Sequence, residues 1–307
     1  MNQLVSVVIP VYKGREYIEK TVKSILSQDY SNIELLLIND GCPAGSGVLL
    51  DNLSSLDNRI RVYHKDNGGV AEARNFGIKL AKGNLIAFCD QDDLWLPSKL
   101  AKQVPLFDDQ KVGVVYCGAE ASYLLENKVV ASTFDENCKG EVFEVLINEN
   151  KITCCTVIAR KVLLENNDAF DAESSLMGVD DWLAWLKLSL VCQFDFVAED
   201  LAVHVFHGDN YSSNEEKMHA AELVCLDKIE PMAKKHNKSV GWDEIKQNLH
   251  VRYANTYIYN GMFNLAGDTL LKASRLKNNG KLSLKGRLLK VVPNFVWQTI
   301  QKIKRKL

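Results

Sequence analysis

Three carboxylates stand within four residues in the stretch "FCDQDDLWLPSKL", where Asp90, Asp92 and Asp93 follow the apolar run Leu85 to Cys89. The run has the length and composition of a buried strand, so the acids fall where that strand should end. Like charges gathered in a partly dry cleft raise one another's pKa unless a cation intervenes, and a divalent metal is the economical compensation. Asp90 and Asp92, spaced D-x-D, project to one side of an extended segment. Asp93 has a plainer reading as the cap of a helix beginning near Leu96-Pro97-Ser98. A second acidic pair, Asp180-Asp181, precedes Trp182, Leu183, Trp185, Leu186 and Leu190, the buried face of another helix. One of these acids would serve as an N-cap that also complements the helix dipole, but that role does not need both.

The elements that must position these acids alternate in period. "LVSVVIPV" (Leu4 to Val11), "IELLLIN" (Ile33 to Asn39), "IRVYH" (Ile60 to His64) and "LIAFC" (Leu85 to Cys89) read as short buried strands. Between the first two, Ile18, Val22, Ile25 and Leu26 keep helical spacing, as do Ala73, Gly77, Leu80 and Ala81 between the last two. Regular strand–helix alternation gives right-handed crossovers and an α/β fold with a mainly parallel sheet, whose ligands bind outside the carboxyl ends of the strands. Pro10, Val11 and Tyr12 end the first strand, Asn39 and Asp40 the second, and Asp90 begins the segment after the fourth. Three strand ends therefore face one crevice. "NGGVAEARN", Asn67 to Asn75, opens a helix with two glycines and then offers Arg74. Such a start can approach phosphates closely, and it is also compatible with a plain turn.

"SVVIPVYKGREYIEKTVKSILSQDYSNIELLLINDG", "KDNGGVAEARNFGIKLAKGNLIAFCDQDD" and "GVDDWLAWLKL" resemble, in order and distance, the successive motifs of family 2 glycosyltransferases of the GT-A fold, over roughly Leu4 to Ser213. The resemblance implies an inverting enzyme that uses a nucleotide sugar and a divalent metal, Mn2+ or Mg2+. It assigns Asp90 to the donor ribose, Asp92 to the metal and Asp181 to the general base, with Asp180 where the family usually has Glu. Further donor contacts are expected at Pro10, Val11, Tyr12, Asn39, Asn67, Gly69, Arg74 and Gln91, and at Asp40 through a nucleobase N–H. "HVFHGDNYSS" resembles the family's active-site loop, with Val205 where an Arg is usual. His207 there could touch metal, diphosphate or only its own loop. Trp95 could wall the donor cleft, carry the acceptor sugar or join the core, and Trp182 is a second acceptor candidate. A cation chelated by both phosphates would neutralise the departing nucleoside diphosphate, and an oxygen-rich site suits Mn2+ or Mg2+.

At 307 residues, 47% hydrophobic and 25% charged, the chain reads as an ordinary globular protein. The expected division is a GT-A domain over 1–213, with 1–100 holding the nucleotide and 101–213 the acceptor, followed by a helical extension over 214–307. The eight cysteines show no CxxC pairing and suit reduced, buried thiols. Neither a leader nor a run of ~20 apolar residues is evident, which predicts a cytoplasmic protein. Beyond Asp268 the last 39 residues carry eleven Lys or Arg and no acid, so the body holds −13 against a total of −2. That tail mixes Leu288, Leu289, Val291, Val292, Phe295, Val296, Trp297 and Ile300 with Lys285, Arg287, Lys290, Lys302, Lys304, Arg305 and Lys306. The mixture suits peripheral attachment to an anionic leaflet on the inner face of the cytoplasmic membrane; a helix docked on the acidic body or a solvated end is the plainer alternative. Nucleic acid is a poor partner for so acidic a body.

The resemblance to family 2 implies transfer of a hexose or N-acetylhexosamine from a UDP-sugar to a saccharide or lipid-linked saccharide, a growing bacterial surface glycan. A catalytically silent sugar-nucleotide or glycan-binding module and a nucleotidyltransferase of similar topology are the alternatives. Asp92 and Asp181 argue against the first, and the lone Gly14 in "VYKGREY" against the Gly-rich basic loop of the second.

Overall fold

The computed structural model describes residues 3–43, 46–131, 139–207, 214–292 and 297. The chain forms two compact units, Met1–Ser213 and Asn214–Leu307. The first opens with β1 (Val5–Val11), α1 (Ile18–Leu26), β2 (Ile33–Asp40), α2 (Ser46–Ser54), β3 (Ile60–Lys65), α3 (Val70–Leu80) and β4 (Leu85–Phe88). It continues through β5 (Leu94–Trp95), α4 (Lys99–Gln103), β6 (Val112–Tyr123), β7 (Lys128–Val130), α5 (Phe143–Leu146), β8 (Ile158–Arg160), α6 (Lys161–Asn166), α7 (Asp180–Ser189) and β9 (Gln193–Phe206).

The strands join one sheet in the order β3-β2-β1-β4-β8-β6-β9-β5, with β7 paired to β6. The first four are parallel, as the alternation predicts. Beyond β4 the sheet becomes mixed: β8 runs antiparallel to both β4 and β6, β5 antiparallel to β9, and β6 parallel to β9. β1 and β2 are buried at every position, as strands covered on both faces must be. α1 covers them with Ile18, Thr21, Val22 and Ile25. α3 lies so close that a Cβ at Gly77 would stand 2.5 Å from Val8 Cγ1. Glu34, buried in β2, accepts the Ser6 hydroxyl and the Lys82 N–H at Oε1, each at 2.6 Å, and its Oε2 faces Arg61 Nε at 3.4 Å.

The crevice follows from register. β1 pairs with β2 as far as Val11 opposite Asn39, but with β4 only as far as Val8 opposite Phe88. Past that point the two strands part, at the place where the strand order reverses, which is where open α/β sheets bind ligands. Pro10 lies beyond the last β4 pair, so its missing N–H removes nothing from that ladder.

The second unit comprises α8 (Glu215–Lys235), α9 (Trp242–Tyr259), α10 (Phe263–Leu276) and α11 (Gly280–Val291). The Asn214 side chain caps α8 by accepting the Lys217 N–H. Its polar centre is His219, whose ring meets His250 at 2.9 Å and the Tyr257 hydroxyl at 3.1 Å and stacks on Tyr253. Burial, then the His250, Lys272 and Arg252 charges, push His219 down to about 4. Among the described residues no helix is long and apolar enough to cross a membrane.

Candidate active site

The ends of β1 and β4 are clamped by Gln91. Its Oε1 accepts the Tyr12 N–H and its Nε2 donates to the Tyr12 carbonyl, both at 2.9 Å, while its own carbonyl accepts the Thr21 hydroxyl at 2.8 Å. Gln91 therefore fixes the D-x-D backbone against the segment after Pro10 and Val11. At the end of β2, Asp40 anchors the start of α3. Oδ1 takes the Lys65 ammonium at 2.8 Å and the Gly68 N–H at 2.9 Å, and Oδ2 takes the Gly69 N–H at 2.8 Å. A carboxylate offers about four acceptor sites, so one remains on Oδ2. Asn67 donates to the Asp40 carbonyl at 2.8 Å, and Gly69 holds a positive φ of 90° that a side chain would resist. Asn39 points its amide at β3: Nδ2 donates to His64 Nδ1 at 2.9 Å and Oδ1 accepts the Cys42 N–H at 3.1 Å. His64 then directs Nε2 at Asp51, 3.0 Å away.

Arg74 ties the two acidic clusters together. It is buried, donating from Nη2 to Asp90 Oδ1 and from Nη1 to Asp180 Oδ2, each at 2.6 Å, and its guanidinium lies 5.4 Å from the centre of the Phe170 ring. Nε has no hydrogen-bond partner among the described residues. Asn75 donates to the Phe170 carbonyl and so places that ring. With Asp180 committed to Arg74, Asp181 is left facing other partners. Its Oδ1 accepts the Trp182 N–H at 2.6 Å and the Asn150 amide at 3.2 Å. Burial, then the Asp180 charge, push Asp181 up to about 7. Burial also raises Asp180, against the opposing pull of Arg74. A carboxylate poised near neutrality with a fixed orientation is equipped to accept a proton.

Asp92 and His207 meet at 2.9 Å through Oδ2 and Nε2, and His207 stacks on Tyr17 with centroids 4.8 Å apart. Burial raises the Asp92 carboxyl, and the Asp93 and Asp90 charges add to the shift. Surplus negative charge beside an imidazole nitrogen fits a divalent cation, with oxygen and nitrogen donors that Mn2+ accepts. Asp93 turns the other way. Its carboxylate accepts the Val205 N–H at 3.0 Å and meets His204 Nδ1 at 3.0 and 3.2 Å, binding the D-x-D segment to β9. Asp93 holds His204 up at about 9, against the effect of burial. Asp93, Cys155 and His204 could together hold a metal ion, their ligand atoms lying within 4.8 Å of one another. The hydrogen bonds already made by the carboxylate give this trio a complete account as a strap.

Residues 6–163, just over half of the chain, match the glycosyl transferase family 2 domain. The chain belongs to glycosyl transferase family 2. An uncharacterized glycosyltransferase of Rickettsia typhi is 31% identical over 208 residues, 65% of this chain and 63% of that protein. The chain thus spans less than two thirds of that relative's length. TuaG of Bacillus subtilis, a glycosyltransferase proposed for teichuronic acid biosynthesis, is 31% identical over 156 residues, 50% of this chain and 61% of its own. Among solved structures, Staphylococcus aureus TarS 1–349 in complex with UDP-GlcNAc superposes with a TM-score of 0.65 at 19% identity, covering 98% of this chain and 91% of that one. The mannosyltransferase PcManGT of Pyrobaculum calidifontis, in complex with GDP-Man and Mn2+, gives 0.61 at 18%, covering 97% and 84%. These likenesses establish the expected GT-A arrangement of a helix-flanked central sheet followed by C-terminal helices.

Two expectations change, for Trp182 and Asp93, and the reading left open for Trp95 closes on the core. Trp95 is 3% exposed, with its indole N–H on the Cys155 carbonyl, and Trp182 is 1% exposed, with its N–H on the Leu146 carbonyl. Both rings belong to the core and present no face to an acceptor; a buried indole whose donor is satisfied is stable where it lies. Asp93 caps no helix, since α4 starts after Ser98 without a side-chain cap. The site also uses Tyr17 and His204, which stand inside the quoted motifs with no role assigned, and Asn150 and Phe170, which stand outside them; their partners lie far away in sequence. Only the position of Phe170 in "AFDAESSLMGVDDW" beside the acidic pair hinted at a role. The loop beyond His207, from 208 to 213, lies outside the described residues.

Proposed function

We propose that the chain moves a hexose or N-acetylhexosamine from a UDP-sugar to a growing bacterial surface glycan carried on a lipid-linked acceptor, with inversion at the anomeric carbon. The observation that carries this reading is Asp181: raised to about 7, oriented by Asn150 and linked through Asp180 and Arg74 to the donor-side Asp90. Its Oδ2 has no hydrogen bond among the described residues and is the atom to take the acceptor proton. Removing that proton as the hydroxyl attacks, from the side opposite the leaving diphosphate, is a single displacement and inverts. Residues 1–100 hold the donor: Asp90 the ribose, the spare Oδ2 site of Asp40 a base N–H, and the backbone from Pro10 to Tyr12 the wall that Gln91 keeps in place. Residues 101–213 supply the acceptor side.

Asp92 and His207 would hold a divalent cation, which when bound neutralises charge on the departing diphosphate. The TarS complex with UDP-GlcNAc supports a UDP donor, the PcManGT complex a metal, and TuaG a surface-glycan acceptor. A lipid-linked acceptor makes a cytoplasmic chain resting on the membrane useful. Screening UDP-sugars for nucleoside diphosphate release, with Mn2+, Mg2+ or chelator, tests the reading. Metal-dependent UDP release supports it; no release with any donor makes the chain a binding module, and release of pyrophosphate makes it a nucleotidyltransferase.

A further inference from the structure

The basic end of the sequence has one well-described element, α11, and its packing settles which residues are free to meet something else. α10 and α11 cross at two glycines. A Cβ at Gly286 would stand 2.9 Å from the Gly267 carbonyl oxygen, and one at Gly267 would stand 2.8 Å from that of Gly286. With Leu289 also buried, this close crossing fixes the rotation of α11. The Lys290 ammonium adds a bond to Asp268 on α10. Trp297, which the sequence offered as part of an apolar surface, instead sits against the Phe263 ring at the start of α10, centroids 6.2 Å apart. Pro293, Phe295, Val296, Ile300 and the basic residues from Lys302 to Lys306 lie outside the described residues.

The face turned away from α10 is apolar. Leu284, Leu288 and Val291 are 61%, 45% and 80% exposed. At 3.6 residues per turn they fall within about 60° of one another, a single stripe. Lys281 and Lys285 border one side of it and Arg287 the other, all exposed. No acid occurs in α11 or anywhere after Asp268. The long basic side chains can lay their stems along the stripe and keep their charges at its rim.

We propose that α11 lies on an anionic bilayer surface, with Leu284, Leu288 and Val291 sunk into the headgroup boundary and Lys281, Lys285 and Arg287 among the lipid phosphates. Charge complementarity selects this occupant: a second copy meeting the stripe through the same face would set basic rim against basic rim, whereas an anionic leaflet attracts every charge present. The proposal rests on the lipid-linked acceptor reading only for its purpose, since the surface exists without it.

Binding of the full chain to vesicles of phosphatidylcholine containing about one third phosphatidylglycerol, compared with pure phosphatidylcholine, tests it. The parent should bind the anionic vesicles at low salt and lose most of that binding near 0.5 M salt, where the screening length falls to a few ångströms. Leu284→Ser/Leu288→Ser/Val291→Ser should bind at least tenfold more weakly with an unchanged circular dichroism spectrum. Lys281→Gln/Lys285→Gln/Arg287→Gln, which leaves the stripe intact, should lose the preference for the anionic lipid. Parent-like binding by the first variant, or no vesicle binding by the parent, overturns the proposal. So does a parent dimer that the serine substitutions dissociate without changing vesicle binding. Release of UDP from a UDP-sugar, read on the same samples, separates the two claims: release without vesicle binding refutes the surface alone, and vesicle binding without release refutes the transfer reading alone.

Discussion

Two strand ends deliver acids to the same crevice, and they are treated in opposite ways. At the end of β2, Asp40 is met by the Lys65 ammonium from the end of β3 and by two glycine N–H groups from the turn into α3. After β4, Asp92 has one imidazole and two neighbouring carboxylates, and across the crevice Asp181 has two donors and the Asp180 charge beside it. The first acid builds the fold. The others are left with negative charge that the chain does not neutralise, which adds to the effect of burial in raising both. Burial alone does not distinguish a structural carboxylate from one held ready for a proton or a cation; the count of compensating donors does.

Substitutions at these positions can break that contrast or sharpen it. Asp181→Asn keeps nearly the same shape but cannot accept a proton at neutral pH, so transfer should fall by ~10²-fold or more while donor binding persists. If Asp180→Asn is the inactive variant and Asp181→Asn retains activity, the roles are reversed. Asp92→Ala should remove metal-supported nucleotide binding, a loss of about 100-fold for the several kcal/mol a cation contributes. Calorimetry with and without Mn2+ measures it, and unchanged metal-dependent affinity in the folded variant would take the cation away from Asp92. Asp40→Ala belongs to the other side of the comparison. It strands Lys65, Gly68 and Gly69, so denaturant unfolding should show a loss of about 3 kcal/mol. Weaker nucleotide binding would accompany that loss through the spare Oδ2 site; if stability held and only nucleotide binding fell, Asp40 would not hold the fold and the contrast would fail.

The sequence made the strand ends legible because apolar runs stop there and charge begins, as at Cys89-Asp90 and Asn39-Asp40. The parallel half of the sheet followed from strand–helix alternation, but the mixed half did not. β8 is three residues long and β5 two, too short to carry a period, and β9 pairs with both β5 and β6. The acidic pairs were visible, yet the way they are shared was not. Arg74 reaches Asp180 across 106 residues and Asp93 reaches His204 across 111, separations that no local pattern records. Trp182 is misread as an acceptor residue and Trp95 is left open between cleft and core because an aromatic beside an acidic motif looks the same whether its indole N–H meets a backbone carbonyl or a sugar. Asn150, which orients Asp181, stands in "INENKIT" with nothing to mark it.

The pH dependence of sugar transfer at saturating donor tests the central claim most directly. A base raised to about 7 is ionised above that pH and protonated below it. The rate should therefore reach a plateau on the alkaline side and fall about tenfold per pH unit on the acid side, with the midpoint near 7. A rate that stayed flat from about pH 5.5 to 8 would contradict the assignment of Asp181 as the base.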